Sequence, residues 1–315
     1  MARYHTDIDE ITQLPEEERQ RLRPVTTEFV FRVSEYYLSP IDWDDPDDPI
    51  RRIVIPSDVE LAEYGSLDPS DEESNYVAPG CQHKYGPTAL LLVSKVCGAY
   101  CRFCFRKRLF RNDVDEKHVS LDITPGLRYI AAHPEITNVL LTGGDPLMLS
   151  PRRLDQILSA LRAIPHVRII RIGTKIPAFE PMRVYDNPEL LEVLRRHSRP
   201  DARIHFSLHF NHPQELTDQA LRCVTALHEV GATLMNQAPL LRRVNDDPAV
   251  LAELLERLTW WGVTPYYVFQ NRPVAGNADF VVPLREGYHI VEQAKARVSG
   301  YAKRVRYVMS HATGK

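Results

Sequence analysis

The sequence predicts an α/β protein whose main strands form a parallel sheet. From Leu90 onward, short apolar runs alternate with segments of helical periodicity. A strand followed by a helix, repeated, is the signature of βα units, which lay successive strands side by side in one sheet. The runs Leu90–Val93, Asn138–Leu141, Arg168–Ile172, Arg203–Leu208, Thr233–Asn236, Thr264–Phe269 and Arg304–Val308 are predicted as strands. Between them, "SPRRLDQILSALRAI" and "PAVLAELLERLTWWG" carry apolar residues three and four apart, the spacing of one helix face. Ser150 stands as N-cap of the first of these, with Pro151 at the first helical position, where a missing N–H is tolerated. Six or so such units can close partly into a barrel, which puts reactive residues at the C-terminal ends of the strands.

The first 80 residues differ in kind. "SPIDWDDPDDPIRRIVIPSDVE" is dense in Asp and Pro, which favour turns and interrupt regular elements. Residues 1–80 are expected to form a mostly helical and loop extension around a core, and residues 81–315 the barrel domain. Hydrophobic content of 43% and charged content of 26% are ordinary for a globular chain. A net charge of −3 supplies no bulk attraction to nucleic acid or an anionic membrane. No apolar run approaches the roughly 18 residues of a membrane span, and "MARYHTDIDEITQLPEEERQ" lacks the apolar core of a signal peptide. The expected location is therefore the cytoplasm, with neither nucleic acid nor membrane as partner.

The cysteines are Cys81, Cys97, Cys101, Cys104 and Cys223. An odd number with three clustered is a poor disulfide framework, and in a reducing compartment such clusters more often hold metal. Cys223, at helical spacing with Leu227, reads as a buried core thiol. The cluster lies in "LLLVSKVCGAYCRFCFRKRLF", with three residues between Cys97 and Cys101 and two between Cys101 and Cys104. A structural zinc site needs four protein ligands, and no fourth Cys or His follows at a usual spacing. A 4Fe–4S cluster needs one ligand per iron, so three cysteines leave one iron open to a small molecule.

That spacing, directly after a strand, resembles the signature of the radical S-adenosylmethionine (SAM) enzymes. The resemblance implies that the open iron chelates the amino and carboxylate groups of SAM. An electron from the cluster then yields a 5′-deoxyadenosyl radical that abstracts hydrogen from the substrate. In "NVLLTGGDPLMLS", Gly143, Gly144 and Asp145 end the next strand and resemble the Gly-Gly-Glu element that touches the SAM amino group, glycine allowing close backbone approach. The segments "DPDDPIRRIVIPS", "HKYGPTALLLV", "CRFCFRKR", "LLTGGDPL", "IRIGTKIP", "LHFNHPQELT", "NQAPLLRRVND", "PYYVF" and "SGYAKR" occur in the order found in lysine 2,3-aminomutases, from about Asp44 to the C-terminus. The fold so implied is a partial (β/α)6 barrel of the TIM type, the radical SAM core. The reaction implied moves an α-amino group to the β-carbon and uses pyridoxal phosphate (PLP) carried on a lysine. An amino acid substrate, a reductant such as flavodoxin or ferredoxin, and a homo-oligomer come with the family.

Position by position, the resemblance makes Cys97, Cys101 and Cys104 the cluster ligands. It gives Gly143, Gly144, Asp145 and Gln237 to SAM, and Arg106 to the substrate α-carboxylate, which a guanidinium grips through two parallel hydrogen bonds. Lys107 and Arg108 read as a solvated basic patch or a phosphate clamp. Lys315, in "SHATGK", falls at the PLP lysine within the segment 299–315. Thr88 stands where the family has a phosphate-binding arginine, which leaves Lys84 and Tyr85 as phosphate partners. Arg272 stands where lysine-specific members place an aspartate, and a second aspartate is missing near Met309 and Ser310. A lysine ammonium facing Arg272 is repelled, whereas a carboxylate side chain is attracted. His209 and His212 read as core or loop hydrogen-bonding groups. The sequence thus predicts a radical SAM aminomutase acting on lysine or an acidic amino acid such as glutamate. A PLP-independent relative performing epimerisation or another rearrangement is one alternative. A non-catalytic iron–sulfur or zinc protein is the other.

Overall fold

A computed structural model of the chain describes residues 3–110 and 122–310. Its N-terminal part pairs β1 (Tyr4–His5) antiparallel with β2 (Val33–Ser34) and carries α1 (Glu16–Glu28), α2 (Glu35–Leu38) and α3 (Pro49–Val54). An antiparallel meander of β3 (Tyr76–Ala78), β4 (Cys81–Tyr85) and β5 (Thr88–Ser94) leads into the main sheet. The chain continues through α4 (Thr124–Ala132), β6 (Asn138–Gly143), α5 (Pro151–Arg162), β7 (Ile169–Thr174), α6 (Ile176–Phe179), α7 (Met182–Tyr185) and α8 (Pro188–His197). It ends with β8 (Ile204–Leu208), α9 (Asp218–Glu229), β9 (Thr233–Leu240), α10 (Pro248–Trp260), β10 (Thr264–Gln270), α11 (Leu284–Ala296) and β11 (Arg306–Val308).

The main sheet orders its strands β11-β10-β9-β8-β7-β6-β5-β4-β3. From β5 to β11 each strand pairs parallel with the next, and only β3 and β4 are antiparallel. The predicted strands are all present as β5 to β11. The antiparallel pair escaped prediction because its segments, YVA and CQHKY, are too short and polar to show a period. Helix starts follow local chemistry. Ser150, Asn187, Thr217 and Asp247 each accept a backbone N–H in the first turn of α5, α8, α9 and α10, which removes part of the helix-end deficit.

Side chains alternate along the parallel strands, as a pleated sheet requires. Val139, Leu141, Ile170, Ile172, Ile204 and Phe206 are fully buried and share one core with Leu154 and Ile157 of α5 and Val224 of α9. Leu140, Arg171 and His205 occupy the other face, opposite one another on β6, β7 and β8, and are half-buried. Arg171 is close enough to Tyr266 and Tyr267, three strands away, for their charges to act on it. The sheet is therefore curved, with a concave face toward the interior of a partial barrel. Ile8, Leu22, Val25 and Ile53 from the N-terminal part belong to the same core as Val139 and Phe206. Cys223 is fully buried on α9, and burial pushes its thiol pKa up. Among the described residues no helix is long and apolar enough to cross a membrane.

Phe206 lies at the middle of the sheet with no exposure. Replacing it with alanine is expected to destabilise the protein by about 3–5 kcal/mol through lost burial and a cavity. Urea unfolding should show a lower midpoint at unchanged slope.

Candidate active site

β5 delivers the chain to the loop that carries the clustered cysteines. At the strand end, the Ser94 hydroxyl donates to the Val96 carbonyl (2.9 Å) and accepts from the Val96 N–H (3.2 Å), which turns the chain out of the sheet. Cys97, Cys101 and Cys104 follow as free, half-buried thiols. Burial is the main cause that pushes each thiol up; the charges of Asp145, Cys104 and Cys101 add to it at Cys97. The three sulfurs are thus near enough for charge on one to act on another. The Arg106 N–H donates to Cys104 Sγ at 3.4 Å, a contact of the kind that supports cluster sulfurs. Three unpaired, mutually sensing thiols on one loop are a donor set that fits an iron–sulfur cluster.

The N-terminal part clamps this loop. Arg102, 2% exposed, donates through Nε and Nη2 to the two Glu60 oxygens, each at 2.8 Å, and through Nη1 to the Val30 carbonyl at 3.0 Å. Its own N–H donates to the Ile53 carbonyl, and the Tyr100 N–H to the Arg32 carbonyl. Lys107 Nζ donates to Glu60 (3.1 Å) and to the Gly276 carbonyl (2.8 Å). Burial raises the Glu60 carboxyl, but the Arg102 and Lys107 charges outweigh it and hold the group below its usual range. Burial also brings Lys107 down to about 8. Lys107 is thus an internal strut, and the solvated patch predicted for it is absent.

The Gly-Gly-Asp turn after β6 lies against the backbone of the same loop. The Gly144 N–H donates to the Ser94 carbonyl (2.6 Å) and the Asp145 N–H to the Val96 carbonyl (2.9 Å). A Cβ on Gly144 would stand 2.5 Å from the Val96 oxygen, and Gly143 has φ of +110°, so both positions need glycine. The Asp145 carboxylate accepts from the Thr174 hydroxyl (2.8 Å to either oxygen), the Lys175 N–H (2.8 Å) and the Leu147 N–H (3.0 Å). These three donors occupy most of its acceptor sites, and burial pushes its pKa up to about 6. In this arrangement Asp145 ties the cysteine loop to β7.

Two residues beyond Cys104, Arg106 is buried. Nε lies 3.2 Å and Nη2 2.9 Å from Glu72 Oε1, and Nη1 donates to the Thr142 hydroxyl at 2.8 Å. Arg108 also donates to Glu72, at 3.3 Å, and comes within 4.0 Å of Asp68. Two guanidinium groups lie against Phe105: Cζ of Arg106 is 4.7 Å from its ring centroid and Cζ of Arg272 is 4.2 Å. Burial lowers the Arg272 pKa, and among the described residues no carboxylate lies within ion-pair distance of it. Arg272 acts on the Tyr85 phenol, which brings the exit of β10 toward β4 across the barrel. Tyr85 pairs with Thr88 in the β4–β5 register, and Lys84 Nζ lies 5.8 Å from the Tyr85 ring.

On the far side of the cysteine loop, Lys175 Nζ donates to the His209 carbonyl and to Asn211 Oδ1, each at 2.8 Å, and pairs with Glu215, which also accepts from the Tyr37 hydroxyl. The Lys175 charge lowers the pull of burial on Cys101. His209 is pushed down to about 3 by burial, with Lys175 and Arg106 adding to it. Its neutral ring lies beside Gln237, with Nε2 atoms 3.3 Å apart. His212 caps a short turn by accepting from the Gln214 N–H.

The family described as the Radical SAM superfamily matches residues 91–255. The chain is 54% identical over 314 residues to "Putative L-lysine 2,3-aminomutase" of Aquifex aeolicus (strain VF5), covering 99% of this chain and 83% of that protein. It is 35% identical over 297 residues to L-lysine 2,3-aminomutase of Clostridium subterminale, covering 94% and 70%. Glutamate 2,3-aminomutase of Clostridioides difficile (strain 630) is 35% identical over 301 residues, again covering 94% and 70%. The chain belongs to the lysine 2,3-aminomutase family of radical SAM enzymes. As a radical SAM aminomutase, an isomerase, it takes a 4Fe–4S cluster and SAM. A non-catalytic iron–sulfur or zinc protein, and a relative performing another rearrangement, find no support among these relatives.

The fold of this aminomutase gathers most of the predicted residues around one loop. Cys97, Cys101, Cys104, Asp145 and Arg106 interact directly or through charge, Arg272 reaches the group through Phe105, and Gln237 through His209. Lys315 lies outside the described residues. Glu60, Glu72, Lys175 and Glu215 were not singled out beforehand. Lys175 stood in the quoted segment "IRIGTKIP", but nothing local to the acids marked them. Glu60→Ala leaves the Arg102 and Lys107 charges without their carboxylate. Breaking such a buried pair costs about 3–5 kcal/mol, so the variant should melt earlier and retain less iron per chain after anaerobic reconstitution.

Proposed function

We propose that this chain moves the α-amino group of an amino acid to the β-carbon, with the cluster held by Cys97, Cys101 and Cys104. The observation that carries the proposal is the loop itself, three mutually interacting thiols with a buried arginine two residues on. When bound, the cluster and SAM together supply a 5′-deoxyadenosyl radical. Gly143 and Gly144 let the turn after β6 approach the cysteine loop closely, and Gln237 offers a side-chain amide to SAM from β9. Asp145 acts by holding that turn in place. Arg106 binds and orients the substrate α-carboxylate. The buried lining excludes water from the reacting atoms.

Lysine is the substrate named for several relatives and glutamate for one. Arg272, half-buried and with no carboxylate within ion-pair distance among the described residues, favours a substrate with a carboxylate side chain. PLP is part of the same reading. Lys84 beside the Tyr85 ring, with Arg272 acting on that phenol, is a cationic and hydroxyl corner suited to a phosphate, and Lys315 would carry the cofactor. Flavodoxin or ferredoxin would serve as reductant, in the cytoplasm, with the enzyme as a homo-oligomer.

Anaerobically reconstituted protein with SAM, dithionite and PLP should convert lysine or glutamate into its β-amino acid, read by mass spectrometry. Product from the glutamate pool alone would assign Arg272 to a carboxylate; product from lysine alone would remove that role. Deoxyadenosine with no β-amino acid from either pool would refute amino migration on these substrates. Cys101→Ala should lose both iron and deoxyadenosine formation, and retention of either would remove Cys101 from the ligand set.

A further inference from the structure

Arg106 does not stand alone in its pocket, and what holds it comes from the N-terminal part. Glu72 is 9% exposed, and its backbone is fixed by Asp68, whose carboxylate accepts from the Glu72 and Glu73 N–H groups at 2.9 Å each. Burial raises the Glu72 carboxyl, yet the Arg106, Arg272 and Arg108 charges hold it below its usual range. The acid is therefore ionised and engaged with Arg106 from the side, through Nε and Nη2. Thr142 takes one Nη1 hydrogen.

A guanidinium has five N–H donors. Glu72 and Thr142 engage Nε and one hydrogen on each terminal nitrogen, which leaves one N–H on Nη1 and one on Nη2. A carboxylate docks on two such donors bidentately. A side chain as long as arginine must also be stopped from rotating if that docking is to be productive. We propose that Glu72 is a positioning residue: touching no substrate, it fixes the Arg106 guanidinium in the orientation that receives the substrate α-carboxylate. The inference rests on the reading of Arg106 as the partner of that carboxylate. It also makes the N-terminal part a component of the substrate site.

The reach of the effect can be read without knowing which substrate is native. L-lysine and L-glutamate are assayed in parallel on reconstituted holoenzyme, and the half-saturating concentration for stimulated deoxyadenosine formation is measured with iron per chain. The set is wild type, Glu72→Gln, Glu72→Asp, Arg106→Met and the Glu72→Gln/Arg106→Met double variant. Glutamine keeps the size of Glu72 but presents an N–H to a donor, so its half-saturation should rise roughly tenfold at equal iron content. Glu72→Asp, which keeps the charge, should recover part of that loss. In the Arg106→Met background, Glu72→Gln should add nothing further, the signature of a residue acting through another. If Arg106→Met leaves half-saturation unchanged, the reading of Arg106 fails. If Arg106→Met raises it but Glu72→Gln does not, or if the two effects simply add, the positioning role is overturned while Arg106 keeps its assignment. Should Glu72→Gln lower iron content, rates per bound iron give the same comparison. No stimulation of wild type by either amino acid would refute the proposed function and this inference with it.

Discussion

The buried pair of Arg102 and Glu60 is the constraint on which the site depends. Arg102 lies between two of the clustered cysteines, and its side-chain partners, Glu60 and the Val30 and Phe29 carbonyls, all come from the N-terminal part. A loop carrying three thiols has little reason to hold one shape, because its own backbone makes few internal hydrogen bonds. Here the missing order is imported. Arg102 and Lys107 converge on the same carboxylate from either side of Cys104, so one residue fixes the loop on both flanks of that cysteine. Such a buried pair adds little net stability over apolar packing; its effect is to select one conformation.

The second fastening comes from the sheet. Gly144 and Asp145 hydrogen-bond to the Ser94 and Val96 carbonyls, and the Asp145 carboxylate then reaches Thr174, the last residue of β7, and Lys175 just beyond it. Three consecutive strand exits are thereby joined into one rigid floor. The resemblance assigned Gly143, Gly144 and Asp145 to SAM. The structure shows a prior demand on the same residues, since a side chain at Gly144 would collide with the cysteine loop. Close approach of two backbones and close approach of a ligand call for the same residue type, which is why sequence alone does not separate them.

Much of the fold was legible because its signals are local. The parallel strands showed as apolar runs, α5 and α10 as amphipathic repeats with Ser150 at the start of the first, and the cysteine spacing lies within eight residues. The site beyond the cysteines was less legible because its pairings are long-range. Glu60 and Glu72 sit in an acid-rich, turn-forming stretch where an exposed carboxylate is the ordinary expectation. Nothing near them announces that Arg102 and Arg106, 42 and 34 residues later, bury them. For the same reason Lys107 and Arg108 read as a solvated patch or a phosphate clamp, while they pair with Glu60 and Glu72. Each misreading is half of one ion pair.

Those pairs also settle the electrostatics around the cysteines. Burial works against three thiolates, and cations must work for them. Lys175 lowers the Cys101 thiol, and Arg106 and Lys107 lower Cys104. Each of these cations is itself buried and is held in place by an acid, which Glu215, Glu72 and Glu60 supply. The layers follow in order: thiols at the centre, cations around them, carboxylates behind the cations. Arg272 stands at the edge of this arrangement against the Phe105 ring, with no carboxylate within ion-pair distance among the described residues. Glu72 thus serves Arg106 and Arg108 by contact and Arg272 only through its charge.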